Sequence, residues 1–446
     1  MAIKNKIART IFLKIGDFIS GTSVSDDLNF LLDSQWWSRD MIDEYQNKKL
    51  RLLIEHSYST VPYYNKLFKK IGIKVSDIQN KEDLVKIPIL NKSIIKSLGI
   101  KEFTSTKIPQ RHIINASSSG STGEPLFYYN TKSAYSMNIA ANLRGWYWTS
   151  SYQLGDRYVK LSGNKRTIFF KRIQDKISNN LYLNMDPLID SNFDYILTQI
   201  EKFKPKVLRS YPDPLLLLAR YKKTHPFFTY VPEVILTTGN ILHPEIRAEI
   251  ESIFGCEIFD SYSCEGNSNV FECENHKTYH SCEEYGISEI INNNGELINN
   301  GIGNLISTDL HNLAHPFIRY NTQDKVEIDS DPCPCGRNLL SINRIIGRDN
   351  DVITSDTGQK FIVHNFTIFF SDNNSTLNQS VEHFQIVKTK QKKIIINLLV
   401  NDNYNIDVEK FIISHWYSQL KYPVTINIVD KIPLTKSGKH KFIINE

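Results

Sequence analysis

The sequence has no run of about 18 or more apolar residues, the length that a membrane-spanning helix needs. The short apolar run Ile11–Leu13 is broken at Lys14 and Asp17, so it is too short for the core of a signal peptide. The charge is nearly balanced, with 53 Lys and Arg residues against 48 Asp and Glu residues and a net charge of +5. Nucleic-acid binding needs basic residues massed on one face. We therefore expect a cytoplasmic protein with no membrane insertion and no nucleic-acid partner.

Cysteine is also scarce, with 6 residues in a chain of 446. This number is too small for a disulfide framework in so long a chain. The six residues nevertheless lie close together in the sequence: Cys256, Cys264, Cys273, Cys282, Cys333 and Cys335. Such clustering indicates a metal site in a reducing compartment.

The metal pattern consists of two groups of ligand-type residues. Cys333-Pro-Cys335 can present two thiolates to one ion, and the segment from Cys273 to Cys282 supplies further cysteines and histidines. Three sulfurs and one imidazole suit tetrahedral Zn²⁺, whose structural sites are closed by four protein ligands. Spacing alone does not choose among His276, His280 and Cys282 as partners, and the opposing interpretation is a set of ordinary buried thiols.

The length predicts two or three domains, and the texture of the chain changes along it. The first hundred residues show the three- and four-residue apolar spacing of helices, as at Leu50, Leu52, Leu53 and Ile54. Further on, a strand over 233–238 ends at Gly239, a helix with an apolar stripe begins near Pro244, and a strand follows Gly255. This βαβ order predicts a parallel sheet with helices on its faces.

The last part of the chain has a different pattern. Two strands around 384–400 flank a Lys-Gln-Lys turn, a helix with Val408, Phe411, Ile412 and Trp416 on one side follows, and a strand over 424–428 comes next. These elements predict a small α+β domain of about 95 residues. We therefore predict an α/β protein with a large domain of mixed sheets and helices at 1–347, a hinge at 348–351 and a small, mobile α+β lid domain at 352–446.

The most prominent polar segment runs from Ser117 to Pro125. It contains four serines, one threonine and two glycines, which can present a row of backbone and hydroxyl donors to an anion. It is not a Walker A loop, because the spacing and the lysine of that motif are missing. The alternative is a flexible surface loop, but the apolar strand that starts at Leu126 anchors it.

Two further segments carry groups suited to nucleotide chemistry. The turn Ser437-Gly438 presents Lys439, which can act as a point charge for phosphate or carboxylate, although crowded basic residues are often only a solvated tail. Asp324 at a strand end can accept ribose hydroxyls, and Arg348 can add a polar contact. Taken singly, each of these residues is more often an ordinary surface residue.

In this order, the segments resemble the adenylate-forming superfamily of acyl-CoA synthetases, specifically its phenylacetate–CoA ligase and CapK-like capsular polysaccharide branch. The resemblance covers nearly the whole chain and rests on ordered motifs. They are Leu50-Arg-Leu-Leu-Ile-Glu-His-Ser57 with Val61-Pro-Tyr-Tyr64, Leu84 to Lys92, Ser118 to Pro125, Asp260 to Gly266, Phe317 to Asp324, Ile346 to Arg348 and Leu434 to Lys439.

The resemblance implies a reaction in two steps. A carboxylate attacks the α-phosphorus of ATP to give an acyl-adenylate and pyrophosphate, and a thiol, usually that of coenzyme A, then takes the acyl group. The implied catalytic residues are Lys439, which bridges carboxylate and α-phosphate, and Glu265, which helps to hold Mg²⁺. The implied ATP-binding residues are Ser119, Gly120, Ser121, Thr122, Gly123, Gly239, Tyr262, Asp324 and Arg348.

The resemblance also bears on the hinge and the metal site. Relatives swing their C-terminal domain between the two steps, and Asn350 stands at the usual hinge acid. The branch often has a similar Cys and His constellation, which favours Cys273, His280, Cys333 and Cys335 as the Zn²⁺ ligands. The sequence departs from the family motifs at Glu124, at Cys264 and at Gln323, which replaces the glycine of a Thr-Gly-Asp motif.

Several functions remain open at this point. The leading interpretation is a carboxylate-activating ligase that serves surface or capsular polysaccharide synthesis. The alternatives are a catabolic phenylacetate or aryl-acid–CoA ligase, acyl or aminoacyl transfer to an amine or carrier protein, and a non-catalytic nucleotide-binding relative. Homodimerisation also stays open, because no pattern in the sequence reports an interface.

Overall fold

A computed structural model describes residues 14–117, 126–162, 172, 175–176, 178–185, 190–264, 269–348, 352–362, 365–366, 369–370, 376–433 and 441–446. Its helices are α1 (14–20), α2 (Val24–Ser34), α3 (Arg39–Thr60), α4 (Pro62–Ile71), α5 (Lys92–Leu98), α6 (Lys132–Thr149), α7 (Asp190–Phe203), α8 (Pro212–Thr224), α9 (Pro244–Phe254), α10 (Thr376–Ser380) and α11 (Ile406–Leu420). Short 3₁₀ helices lie at Val75–Asp77, Lys81–Lys86, Ile100–Phe103 and Gln110–His112.

The strands are β1 (Ile113–Ser117), β2 (Phe127–Thr131), β3 (Tyr158–Ser162), β4 (Asn180–Asn184), β5 (Val207–Ser210), β6 (Val234–Thr238), β7 (Ile258–Ser263), β8 (Asn269–Glu272), β9 (Tyr279–Ser281), β10 (Gly286–Ile291), β11 (Gly301–Asp309), β12 (Tyr320–Ile328), β13 (Ser341–Arg348), β14 (Val352–Thr354), β15 (Lys360–Ile362), β16 (Val381–Lys388), β17 (Ile394–Val400), β18 (Val424–Ile428) and β19 (Ile443–Asn445). Among the described residues, the largest sheet has 11 strands in the order β10-β11-β12-β13-β9-β8-β7-β6-β5-β3-β4.

The large sheet is mixed. Strands β4, β3, β5, β6 and β7 are parallel, and the remaining neighbours pair antiparallel. The βαβ unit predicted from the sequence is confirmed as β6, α9 and β7: Pro244 begins the helix, Ile246, Ile250 and Phe254 are buried, and Gly255 ends it with a φ of 76°. The α/β class with mixed sheets is therefore confirmed, and the parallel strands bring their carboxyl ends to one edge.

Residues 376–433 and 441–446 form a second sheet with its own core. The order is β18-β17-β16-β19, and the predicted pair β16 and β17 is antiparallel. Helix α11 buries Val408, Ile412, Trp416 and Leu420 against this sheet. The prediction for Phe411 was wrong, because the buried positions repeat every four residues and Phe411 lies one position away from that stripe. Its side chain is 52% exposed.

The helices at the start of the chain pack on the antiparallel half of the large sheet. Helix α3 buries Leu50, Leu53 and Ile54 in a core shared with Leu310 and Ile318. Leu52 is exposed, which corrects its assignment to the apolar face. No helix in the described part of the chain is both long and apolar enough to span a bilayer.

Candidate active site and metal-binding cluster

The turn that follows β6 is the first component of the candidate active site. Gly239 has a φ of 86°, a left-handed conformation that glycine adopts without steric cost. The next residue, Asn240, donates a side-chain hydrogen bond to the carboxylate of Asp213. Asp213 lies in the first turn of α8 and is buried, and this burial raises its pKa to about 7. Asp213 thus stabilises the turn through this hydrogen bond. No sequence motif had indicated a role for Asp213.

The second component is a hydrogen bond between two strands of the sheet. The phenol of Tyr262, near the end of β7, donates to Oδ2 of Asp324 on β12 at 2.7 Å. Both residues were predicted to bind ATP. Burial, together with the neighbouring Asp324 carboxylate, raises the pKa of Tyr262 well above its usual value. Tyr262 therefore keeps its proton and remains a donor at physiological pH.

The third component is the end of β13, which carries the predicted residue Arg348. Asp324 pairs directly with Arg348 in the register of β12 and β13. The preceding Gly347 has a φ of 93°, and a Cβ at this position would lie 2.6 Å from Cδ1 of Ile241. The end of β13 therefore abuts the turn after β6. The structure thus brings together Gly239, Tyr262, Asp324 and the backbone of Arg348.

Gln323, which precedes Asp324, has the backbone conformation of a glycine. Its φ is 66°, in the left-handed region that few non-glycine residues adopt. Its amide donates to Oδ1 of Asn321 at 2.9 Å, and the amide of Asp324 donates to Oγ1 of Thr322 at 3.1 Å. Residue 323 therefore has a conformation that suits the glycine implied at this position by the resemblance, although the sequence has glutamine there.

Several predicted residues lie outside the described residues: Ser119, Gly120, Ser121, Thr122, Gly123, Glu265, Asn350 and Lys439. The ends of the serine-rich segment are described. Ser117 pairs with Phe127 across the antiparallel strands β1 and β2. The segment thus connects two paired strands, which is consistent with the anchoring expected from the sequence.

A buried acidic network lies beneath Tyr262 and was not predicted. Asp260 accepts a hydrogen bond from Oγ1 of Thr237 at 2.7 Å and one from the phenol of Tyr279 at 3.3 Å. Its amide donates to Glu272, which also receives two hydrogen bonds from Arg247 at 2.8 and 2.9 Å. Burial raises the pKa of Asp260 to about 7. This network fixes β7, the strand that carries Tyr262, against β6 and β8.

Three large aromatic residues of a kind that can line an acyl pocket, Trp146, Trp148 and Tyr158, divide into separate groups. Trp146 stacks on Tyr158 with ring centroids 5.3 Å apart, and Arg209 lies 5.4 Å from the Trp146 ring. Trp148 instead contacts the ring of His280, within the candidate metal cluster. The structure therefore does not gather these aromatic side chains around one pocket.

Four predicted metal ligands meet in one cluster. The ligand atoms of Cys273, His280, Cys333 and Cys335 all lie within 4.8 Å of one another. Cys333 Sγ is 3.8 Å from Cys273 Sγ, and Cys335 Sγ is 3.2 Å from His280 Nε2. Burial lowers the pKa of His280 to about 4, so its imidazole is neutral, as a metal ligand must be.

The competing ligands lie elsewhere. His276 stacks on Phe259 and its Nδ1 is 3.0 Å from Glu272, while Cys282 is buried beside Glu284. His280 pairs with Ser341 at the start of β13, whereas Asp324 pairs with Arg348 at its end. At about 3.3 Å per residue, the two ends of β13 are about 23 Å apart. The cluster is therefore remote from the three components of the candidate active site.

Comparison with known proteins agrees with this architecture. Residues 354–446 match the family model of the CapK C-terminal domain. The phenylacetate–coenzyme A ligase of Thermus thermophilus is 23% identical over 383 residues, which cover 79% of each chain. That of Pseudomonas putida is 23% identical over 334 residues, or 71% of this chain and 72% of the relative.

Solved structures give the same result for the fold. The structure of 2-hydroxyisobutyryl-CoA ligase in its postadenylation state aligns with a TM-score of 0.72 at 13% sequence identity, over 93% of this chain and 92% of that chain. The fold is thus that of adenylate-forming enzymes. Together, the matches confirm the resemblance to the phenylacetate–CoA ligase and CapK branch, and they confirm the enzyme class, an adenylate-forming acid–thiol ligase.

Proposed function

We propose that this protein uses ATP to convert a small carboxylic acid into an acyl-adenylate and then transfers the acyl group to the thiol of coenzyme A. The observation that carries this proposal is the hydrogen bond from Tyr262 to Asp324, beside the turn at Gly239 and opposite Arg348. Gly239 and Tyr262 lie at the carboxyl ends of the parallel strands β6 and β7, where α/β sheets bind ligands, and Asp324 and Arg348 lie on the antiparallel strands β12 and β13. Phenylacetate–CoA ligases are relatives over most of the chain, which supports both steps.

Asp324 is suited to hold the ribose. An ionised carboxylate has about four acceptor positions, so it can accept ribose hydroxyls while it accepts the hydrogen bond from Tyr262. Adenylation depends on positioning and charge neutralisation more than on covalent help from the protein. In this proposal, the serine-rich loop from Ser119 to Gly123 holds phosphates, and Lys439 neutralises charge at the α-phosphate.

The metabolic pathway that the ligase serves is supported by fewer observations than the reaction itself. The CapK C-terminal match over residues 354–446 supports a role in surface or capsular polysaccharide synthesis. A second candidate is an aryl-acid–CoA ligase of catabolism, which is favoured by the curated relatives, since they are phenylacetate–CoA ligases. The two candidates differ in the acid that they activate.

We also propose that residues 348–351 form a hinge between a large unit at 1–347 and a lid at 352–446. The residues on the two sides of this segment belong to different sheets and different hydrophobic cores. One contact between them runs from Arg220 on α8 to the carbonyl of Glu382 on β16, at 3.3 Å. A long, exposed hydrogen bond of this kind is easily broken, which suits a lid that moves.

The cysteine and histidine cluster is proposed to hold a structural Zn²⁺. Three thiols and one imidazole are a closed donor set for this ion, with no position left for substrate. Cys333 Sγ accepts a hydrogen bond from Asn275 at 3.2 Å, which favours its thiolate form, and Cys335 Sγ accepts one from the amide of Arg337 at 3.4 Å. The buried Nδ1 of His280 has no hydrogen-bond partner in the described part of the chain.

The products test the proposal. The protein is incubated with ATP, Mg²⁺, coenzyme A and one acid at a time from a panel of aryl acids, hydroxy acids, amino acids and short fatty acids, and acyl-CoA is measured by mass spectrometry. A thioester formed only from phenylacetate-like acids would select the catabolic candidate. AMP release without a thioester, restored by an amine or carrier protein, would contradict coenzyme A as the acceptor.

A further inference from the structure

A cavity of about 320 Å³ opens beside Thr131, at the end of β2. Its lining comes from α3, from the residues before β1, from the start of α6 and from the residues after β11. Small-molecule sites in proteins have volumes of about 300 to 1,000 Å³, so the cavity is large enough for a small ligand. All of its lining residues belong to the described part of the chain, and the reaction proposed above uses none of them.

The ionisable side chains that line the cavity are all basic: Lys49, His112, Lys132 and His311. In the described part of the chain, neither lysine forms an ion pair with a carboxylate. Arg111 adds a further cation next to the cavity, because its Nε donates a hydrogen bond to Nε2 of His112 at 3.1 Å. The lining therefore carries positive charge without an acidic residue to balance it.

Lys49 is partly buried without a close counter-ion. Its Nζ lies 5.7 Å from the centroid of the Tyr45 ring. Burial lowers the pKa of Lys49, and the carboxylate of Asp27 opposes this shift without forming an ion pair with it. The charge of Lys49 also reaches the cavity lining, because burial together with this charge lowers the pKa of His311 to about 4. An anion in the cavity would supply the counter-charge that Lys49 lacks.

Helix α6 begins at the same cavity and adds to its positive charge. Thr131 is the N-cap residue, and its Oγ1 accepts a hydrogen bond from the amide of Ala134 at 3.1 Å. Lys132 and Ser133, the first two residues of this 18-residue helix, line the cavity. The first N–H groups of a helix have no partner within it and attract anions. The helix terminus therefore supports the same kind of ligand as the two lysines.

The remainder of the lining is mostly apolar. It consists of Leu52, Leu53, Ile108, Pro109, Leu310 and Leu313. Leu52 is 55% exposed on α3, whereas the adjacent Leu53 is buried. An inorganic anion would leave these apolar side chains in contact with water, and a neutral apolar molecule would leave the lysines without a counter-charge. A ligand that matches both parts has one anionic group on a short apolar body.

We propose that this cavity is a second ligand site, which binds a small carboxylate with a short aliphatic or aromatic body. The carboxylate lies between Lys49 and Lys132, and the apolar body contacts Leu52. Thr131 is four residues from Phe127, the other end of β2, which is about 13 Å at 3.3 Å per residue. The serine-rich segment lies beyond Phe127, so this site is distinct from the phosphate-binding loop of the proposed reaction. The inference does not depend on that reaction.

Photolabelling of the full-length protein tests the site. A diazirine derivative of hexanoate is crosslinked by light, and the labelled peptides are identified by mass spectrometry, which distinguishes this cavity from the candidate active site. We expect labels within 49–53, 108–112 or 310–313. Hexanoate should displace them at a concentration at least tenfold lower than its neutral analogue hexanamide. Lys49→Gln with Lys132→Gln should lower the labelling of these peptides at least tenfold.

Matched controls separate the site from general charge and surface effects. Lys69→Gln with Lys70→Gln removes two exposed lysines outside the cavity and should leave the labelling unchanged. Leu52→Ser should lower the labelling at least threefold, whereas Leu98→Ser, at a leucine that is 50% exposed on α5, should not. Leu52→Ser also keeps the test decisive if the double lysine variant does not fold, because it changes an exposed side chain.

Three results would overturn the proposal. The first is labelling of the wild type that is absent from the three peptides or confined to the candidate active site. The second is equal displacement by hexanoate and hexanamide, which would show that the anionic group is not recognised. The third is an equal loss of labelling in each cavity variant and its control.

Discussion

Tyr262 and Asp324 lie on different strands, 62 residues apart in the sequence, and are joined by a hydrogen bond of 2.7 Å. In Tyr262→Phe, the ring stays and the bond is lost, so the carboxylate loses the donor that orients it. A hydrogen bond to a charged group contributes about 1.5 to 3 kcal/mol, so we expect ATP affinity to fall about tenfold or more. Calorimetric titration with ATP measures this. An unchanged affinity in Tyr262→Phe would contradict the orienting role.

Asp213 makes the stability of the protein depend on pH. Burial raises its pKa to about 7, so the folded state holds this proton more tightly than the unfolded chain. The stability that protonated Asp213 contributes to the folded state is therefore fully present below the unfolded pKa near 3.8. It is lost as the pH rises through about 7. Asp213→Asn keeps an acceptor for Asn240 and has no proton to lose.

The wild type should therefore lose stability relative to Asp213→Asn as the pH rises from 5 to 8, so the free energy of unfolding of the variant minus that of the wild type should increase. We expect a relative gain on the order of 1 to 3 kcal/mol. Urea denaturation at each pH measures it. Asp260 has a similar pKa, but its effect on stability cancels in the comparison because both proteins contain it. A difference that is independent of pH would show that Asp213 is ionised throughout.

Gln323 predicts opposite effects for two substitutions at one position. Its left-handed φ of 66° suits glycine and is unfavourable for a β-branched residue. Gln323→Gly should leave the protein at least as stable, whereas Gln323→Val should lower the free energy of unfolding by about 1 to 2 kcal/mol. Denaturant titration compares the two variants. Equal stability of the Gly and Val variants would mean that the backbone does not need this conformation.

The cysteine and histidine cluster predicts about one tightly bound zinc per chain, with a structural role. Removal of the ion by a strong chelator should lower the melting temperature, because binding energy at such a site is folding energy. Cys335→Ser and His280→Ala should lose the metal in elemental analysis. Cys256→Ser, which alters a free cysteine outside the cluster, should retain it. A zinc content near zero in the freshly purified wild type would contradict the site.

Local sequence patterns predicted the helices and strands better than the contacts between residues of different elements. The unit β6, α9 and β7 follows from Pro244, Gly255 and the apolar stripe between them, all within 30 residues. Phe411 was assigned to the wrong face, because one helical position decides between core and solvent. The bond between Asn240 and Asp213 had no signal at all, since it joins two polar residues of different elements whose contact exists only once the sheet has formed.

In the candidate site, too, local motifs identified the residues and the structure supplied the contacts between them. Asp324, Tyr262 and Arg348 were identified through motifs. The structure adds that the strands of Asp324 and Arg348 pair, and that the side chain of Tyr262 donates a hydrogen bond to Asp324. The choice of His280 over His276 rested on the resemblance, and the structure gives its physical reason. His280 lies on β9 beside β13, whereas the left-handed turn at His276 sends its ring onto Phe259.

The most direct measurement for the central claim is ATP–pyrophosphate exchange with the acid panel, compared among the wild type, Asp324→Ala, Lys439→Ala and Asp329→Ala. Asp329 is a half-buried carboxylate just after β12 and outside the candidate site, so its removal serves as the matched control. We predict exchange with one class of acid, retained in Asp329→Ala, strongly weakened in Asp324→Ala and slowed on the order of 10²- to 10³-fold in Lys439→Ala. Failure of the folded wild type to bind ATP, or exchange that persists unchanged in both Asp324→Ala and Lys439→Ala, would contradict the account.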